Sequence, residues 1–320
     1  MLQVGFDIGG TSIKAGVVRD SRDKVDIAAS RRIPFPTGDP YGAVVDLMAK
    51  LVAEMAEELK IPVSDFQSIG VAVPGTIDAT GEVVINAHNL YFHDVPLKRA
   101  VEEKFPGIPV LMANDANAAA LAEYYAGAFR GYGTAILITL GTGVGGGMVL
   151  NGKMWNGARN NGFELGHIIV KHGGQLCTCG NRGCLESYGT ATWLKQQGRK
   201  AVVEYPLSLI YKKARGDIGN VSAKTVIDAA KENDPFAVDI FNRYVDYLSS
   251  GIASLAVLFD PEIIALGGGV SLAGEFLYEP LRKLIVRKSF YHVPVPVVPA
   301  RLGNEAGVIG AAMLAKGQVS

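Results

Sequence analysis

Two stretches of this chain, FDIGGTSIKAGVV at 6–18 and ITLGTGVGGGMVL at 138–150, carry one pattern: an apolar strand, a turn of glycine and threonine, and a second strand. Five glycines fall in the seven residues 141–147. Such a run loses much backbone entropy on folding, so it calls for a close backbone approach that a Cβ would forbid. The repetition reads as an internal duplication, two similar domains facing a cleft. At 320 residues the chain exceeds the size at which one hydrophobic core stops growing, which also favours two domains.

The rest of the pattern is α/β. Strands are expected at 2–8, 14–18 and 25–33, followed by a loop holding Pro34, Pro36, Gly38 and Pro40. From Tyr41 to Lys60, Val44, Leu47, Met48, Leu51, Val52, Met55 and Leu59 recur at helical spacing. Ile69–Val73 reads as a buried strand ending at Pro74-Gly75, and Val110–Ala113 as another ending at Asn114-Asp115. The pattern restarts with a strand at Ala135–Leu140, the turn at 141–147, and a strand at Met148–Leu150. Residues 185–258 look mostly helical, with a helix start at Pro235 and an apolar stripe behind it. Glu262–Leu266 leads as a strand into Gly267, Gly268 and Gly269, and a last helix covers about 305–316. Alternating strands and helices place ligands at the carboxyl ends of the strands.

In DIGGT, Gly9 and Gly10 let a hairpin backbone approach phosphate oxygens, while Thr11 offers a hydroxyl. Asp7 brings a carboxylate suited to hydrated Mg²⁺, and Lys14 stands beyond it. Thr142 places a second hydroxyl inside the other turn. No Gly-Lys-Ser/Thr follows, which excludes a Walker A loop, and a strand follows instead of a helix, which excludes a Rossmann fingerprint. Taken singly, either hairpin is also compatible with an ordinary turn. The pair points to a nucleotide whose phosphates lie between two domains. At Asn114-Asp115-Ala116-Asn117, Asp115 reads either as a helix N-cap or as a carboxylate at the cleft mouth, able to accept a hydroxyl proton during phosphoryl transfer. Asn114 can donate to and accept from sugar hydroxyls.

All three cysteines, Cys177, Cys179 and Cys184, lie between Glu164 and Glu186, with His167 ten residues before the first. Three thiols and an imidazole can supply a closed tetrahedral zinc site, although His172 also lies near. Glu164 and Glu186 would then be hydrogen-bond acceptors held beside a metal-fixed loop. Lys+Arg and Asp+Glu both number 31, so no global field draws the protein to nucleic acid or to a membrane. The apolar run Ile252–Leu266 is broken by Asp260 and Pro261, and no basic n-region precedes Asp7. Free thiols with metal-ligand spacing then suggest a reducing cytoplasm.

DIGGT with Lys14, the VPG at 73–75, NDAN at 114–117, LGTGVGGG, ELGH at 164–167, CTCGNRGCLE at 177–186 and GGG at 267–269 together resemble the ROK-family sugar kinases. These belong to the actin-like/hexokinase (ribonuclease H-like) ATPase superfamily, and the likeness is greatest to its bacterial glucokinases. The resemblance implies a two-domain fold with an interdomain cleft: 1–113 plus about 303–320 as the smaller domain, and 114–302 as the larger one carrying the zinc loop. It implies Asp115 as the general base that takes the sugar's primary hydroxyl proton. Asn114, Glu164, His167 and Glu186 would hold pyranose hydroxyls together with Asp115, and Gly75 and Asn89 would add contacts. Nucleotide and Mg²⁺ contacts fall on Asp7, Gly9, Gly10, Thr11, Lys14, Thr142, Gly143, Gly267, Gly268 and Gly269. Zinc is structural, held by His167, Cys177, Cys179 and Cys184, while His172, His88, His93 and His292 are surface or packing residues.

The activity so implied is transfer from ATP to the 6-hydroxyl of glucose, by a homodimer or homotetramer. A kinase for another hexose or amino sugar, such as mannose, fructose or N-acetylmannosamine, is the nearest alternative. The family also holds sugar-sensing regulators; these carry an N-terminal helix-turn-helix, for which the first hairpin leaves no room here.

Overall fold

The computed structural model describes residues 1–21, 24–36 and 40–318. Gly38, in the expected proline loop, lies outside the described residues. The chain opens with β1 (Leu2–Gly9), β2 (Ser12–Asp20), β3 (Val25–Pro34) and α1 (Pro40–Leu59). There follow β4 (Ile69–Val73), β5 (Thr76–Ile77), β6 (Val84–Ala87), β7 (Phe92–Val95), α2 (Leu97–Lys104), β8 (Val110–Asn114) and α3 (Asp115–Ala126). The middle holds β9 (Ala135–Leu140), β10 (Val144–Leu150), β11 (Lys153–Met154), α4 (Glu186–Gly189), α5 (Ala191–Glu204), α6 (Leu209–Lys213), α7 (Ala223–Lys231) and α8 (Pro235–Phe259). The end comprises β12 (Ile263–Gly267), α9 (Glu275–Lys288), β13 (Val297–Pro299), α10 (Ala306–Ala312) and α11 (Leu314–Gln318).

The duplication is visible in the sheets. One has the order β3-β2-β1-β4-β8 and the other β11-β10-β9-β12-β13. Each takes three consecutive strands and adds two later ones beside the first of the three. In the first sheet β1–β2 and β2–β3 are antiparallel, while β4 joins β1 and β8 joins β4 in parallel. Contacts divide the chain into two compact units: Met1–Leu137 with Gly147–Phe163 and Ala300–Ser320, and Ile138–Gly146 with Glu164–Pro299. Among the described residues, no helix is long and apolar enough to cross a membrane.

Three elements differ from the sequence reading. β10 begins at Val144, so Gly145–Gly147 is strand and not turn. A Cβ on Gly147 would lie 2.6 Å from the carbonyl oxygen of Ala116, so the glycine admits α3 against the strand. The small sheet β5-β6-β7 was not foreseen, because strands of two to four residues are too short to show a period. The last helix is two pieces, α10 and α11, interrupted at Met313.

The stripe expected on α1 is buried: Val44, Met48, Val52 and Met55 are all fully covered and share a core with β1, β2 and β4. A second cluster forms where α10 meets β4 and α3, built mostly of alanine. Small residues let these backbones touch. A Cβ on Gly5 of β1 would overlap the carbonyl oxygen of Val308, one on Gly70 of β4 that of Ala311, and one on Gly310 that of Ala118. In an open helix Gly→Ala stabilises by about 1 kcal/mol. Here Gly310→Ala should instead destabilise by about 1–3 kcal/mol, seen as a lower urea midpoint at unchanged slope.

Candidate active site

In the first unit the β1–β2 register sets Asp7 opposite Lys14, and Lys14 Nζ donates to Asp7 Oδ2 at 2.8 Å. The carboxylate lies against α10, where a Cβ on Gly307 would come within 2.6 Å of Asp7 Cγ. Gly9, Gly10 and Thr11 form the tip of the hairpin, with Gly10 and Thr11 exposed. Gly10 sits on the turn His88–Leu90: its Cβ would be 2.7 Å from the Asn89 carbonyl oxygen. The expected phosphate turn and the expected sugar contact Asn89 are therefore neighbours.

The parallel strands β4 and β8 end side by side, with Val73 opposite Asn114. Asn114, in extended conformation, is the N-cap of α3; its Oδ1 accepts from Ala116 N at 2.9 Å and from Asn117 N at 3.4 Å. Its Nδ2 donates to the carbonyl oxygen of Gly75 at 3.2 Å. The cap thus falls one residue earlier than the reading that gave it to Asp115. Asp115 is the first residue of α3, exposed, with Oδ1 accepting from Ala116 N at 2.8 Å. A carboxylate there is favoured by the helix dipole. Gly75, Asn114 and Asp115 are held together as one group, stitched by a single asparagine side chain.

In the second unit the ligand atoms of His167, Cys177, Cys179 and Cys184 all lie within 4.8 Å of one another. Cys179 Sγ and Cys184 Sγ are 3.7 Å apart, as are His167 Nδ1 and Cys177 Sγ. Sulfurs bound to zinc at about 2.3 Å stand about 3.8 Å apart on a tetrahedron, so the donor set fits that ion. Nδ1 is the imidazole atom turned toward the thiols. Burial acts to raise the Cys177 thiol, but the Cys179 amide and thiol and His167 outweigh it and bring it down to about 6. Burial pushes Cys184 up to about 12. One readily ionised thiol gives a metal its first thiolate.

Glu164 precedes the turn Leu165–His167 and is exposed. Glu186 opens α4; its Oε2 accepts from Val144 N at 3.1 Å and its Oε1 from Thr178 Oγ1 at 3.4 Å. The glycine turn before β10 is thereby joined to the cysteine loop. Also in this unit, a cavity of about 710 Å³ is lined by Thr142, Gly269, Val270, Thr192, Lys195 and Ser222, among others. The sequence pointed to Thr142 and Gly269 but missed the walls on α5 and α7. Spaced along amphipathic helices, those side chains look like ordinary solvated faces; the only local signal is the capping box at Ser222.

The ROK family model matches residues 3–318. The chain belongs to the ROK family. It is 36% identical over 322 residues to a glucokinase of Thermotoga maritima, across 99% of this chain and 98% of that protein. The crystal structure of a ROK family glucokinase from Streptomyces griseus in complex with glucose and AMPPNP is similar with a TM-score of 0.79 and 36% identity, over 98% of this chain and 99% of that one. The ROK hexokinase from Thermus thermophilus gives a TM-score of 0.82 at 34% identity, over 98% and 97%. The fold is that of the two-domain actin-like sugar kinases, as the paired sheets already indicated.

Segment 164–186 has two isolated β-bridges and one short turn of helix as its regular structure, so a metal would supply much of its order. Stripping metal with a chelator should release about one zinc per chain and speed amide exchange across 164–186 by about tenfold or more, leaving α8 unaffected. Metal-free protein with unchanged exchange there would exclude a structural role for zinc.

Proposed function

We infer that this protein is a sugar kinase that transfers the γ-phosphoryl group of Mg-ATP to the 6-hydroxyl of glucose. The observation that carries the reading is the near full-length match to a glucokinase that binds glucose and AMPPNP, on a chain that keeps both phosphate turns and the carboxylate after β8.

The mechanism follows from the groups present. Asp115 accepts the proton of the 6-hydroxyl as it attacks, from a helix start where its charge is stabilised. Asn114 spends its oxygen on the cap and one N–H on Gly75, which leaves its second N–H for a sugar hydroxyl. Glu164, Glu186, Gly75 and Asn89 hold further hydroxyls. His167 would hold zinc through Nδ1, the ring atom nearest the Cys177 sulfur, leaving Nε2 for a sugar hydroxyl; a metal there would fix the tautomer and the ring orientation.

Charge on the transferring group is spread over its equatorial oxygens, and catalysis is mostly positioning plus electrostatics. Thr11, Thr142 and the N–H groups of both turns serve that charge, with Lys14 held ready beside Asp7. Asp7 is the carboxylate that would hold Mg²⁺, which would supply positive charge beside the phosphates. The 710 Å³ cavity bounded by Gly269 and Thr192 takes the adenosine.

ADP release should be measured across glucose, mannose, fructose, N-acetylglucosamine and N-acetylmannosamine, with a no-sugar control. Glucose should give the highest kcat/KM; preference for another sugar would change the substrate assigned to the pocket and leave the chemistry as it is. Asp115→Asn should fold and bind glucose while kcat falls by roughly 10²–10⁴. Near-wild-type turnover in that variant would remove Asp115 from the mechanism.

A further inference from the structure

Glu186 would meet a sugar hydroxyl, yet its two oxygens already join the glycine turn to the cysteine loop: Oε1 accepts from Thr178 Oγ1 in that loop. Oε2 accepts from the N–H of Val144, the residue that ends the turn Gly141–Val144 and begins β10. The turn passes so close that a Cβ on Gly143 would lie 2.8 Å from the same oxygen. The carbonyl side of Val144 is also crowded: a Cβ on Gly166, beside His167, would overlap its carbonyl oxygen. The start of the turn is pinned from α5, where Ala191 N donates to Gly141 O at 2.8 Å and Thr192 Oγ1 to Thr142 O at 3.4 Å. Glu186 completes this frame at the turn's far end, two residues after the ligand Cys184.

A carboxylate this near a phosphate-binding turn is electrostatically adverse to a nucleotide, since like charges repel. Its presence there needs a compensating role. We propose that Glu186 is a positioning residue for the nucleotide: it clamps the phosphate turn through Val144 N–H and thereby makes nucleotide affinity depend on the order of the cysteine loop. This rests on the sugar-kinase reading and adds a coupling to it, since the side chain that meets the sugar and the turn that meets the phosphates share one carboxylate.

The two effects of Glu186 have opposite signs, which makes the test decisive. If only charge matters, Glu186→Ala should bind ADP more tightly than wild type. If the clamp matters, it should bind ADP about tenfold more weakly, as loss of a charge-assisted hydrogen bond would give. Glu186→Gln keeps an oxygen for Val144 N–H and can donate to Thr178 Oγ1, so its ADP affinity should stay within about twofold of wild type. Glucose KM should rise in both variants.

The measurement is calorimetric titration of ADP into zinc-replete, sugar-free protein, with zinc content and thermal unfolding as controls. Unchanged or tighter ADP binding by Glu186→Ala overturns the proposal, and so does an equal loss in the Ala and Gln variants. Gly143→Ala, which pushes a methyl against Oε2, should also weaken ADP, and should weaken it no further in the Glu186→Ala background. Should Glu186→Ala not fold, Glu186→Asp decides, since it keeps the charge on a side chain one methylene shorter than the one that reaches Val144 N–H: wild-type ADP affinity in it removes the clamp. A wild-type protein that bound no ADP at all would instead remove the kinase reading.

Discussion

The arrangement depends on backbones that touch without intervening side chains. α10 lies on β1 and β4 at Gly5 and Gly70 and crosses α3 at Gly310, and at each contact a single methyl group would meet a carbonyl oxygen. Close packing of this kind tolerates little displacement, because interiors pack at crystal-like density and an added methyl has nowhere to go. Gly307 on the same helix sets the distance to Asp7. One short helix of small residues therefore fixes the heights of β1, β4 and α3, the three elements that present Asp7, Gly75 and Asp115.

α3 is held at both of its ends by a carboxamide and a carboxylate. At the start Asn114 caps the helix and reaches across to Gly75. At the other end Glu123 is 0% exposed, yet its charge is matched by three backbone donors. Ala128 N reaches Oε2 at 2.6 Å, and Arg301 N and Leu302 N reach Oε1 at 2.8 and 2.9 Å. A buried carboxylate is expensive unless its oxygens are satisfied by donors, as they are here. The result is a helix pinned along its axis, so that the residue at its first position has a defined place to stand. That is what the general base proposed at Asp115 requires: reach first, and then proton affinity.

Much of this was legible in the chain. The two glycine turns, the strand ends at Gly75 and Asn114 and the His/Cys cluster were marked by glycine, by apolar runs and by clustered cysteine. Each of those signals reflects a local cost that only a particular geometry removes. Where the signal is not local, the sequence was silent. Asn114 and Asp115 are both good capping residues, and which of them caps is settled by the position of Gly75 across the sheet. The glycines of 145–147 read as a turn because a glycine kept for an approaching helix looks the same as one kept for a bend. The cavity walls on α5 and α7 carry no composition of their own, since a cavity is a property of how helices are set against one another.

The cysteine loop shows why a metal would be used where a larger core would otherwise serve. Between Glu164 and Glu186 only Leu165, Cys177, Cys184 and Leu185 are apolar side chains in the buried set, while Ile169 and Leu176 stand 62% and 64% exposed. So little apolar burial cannot offset the conformational entropy of ordering some twenty residues at about 1–2 kcal/mol each. Coordination of a metal by four side chains would supply the difference in one step, without filling the space beside the loop. Glu164, His167 and Glu186 would then sit on an ordered backbone and stay open to the proposed ligand. A hydrophobic core of equal stability would have had to cover them.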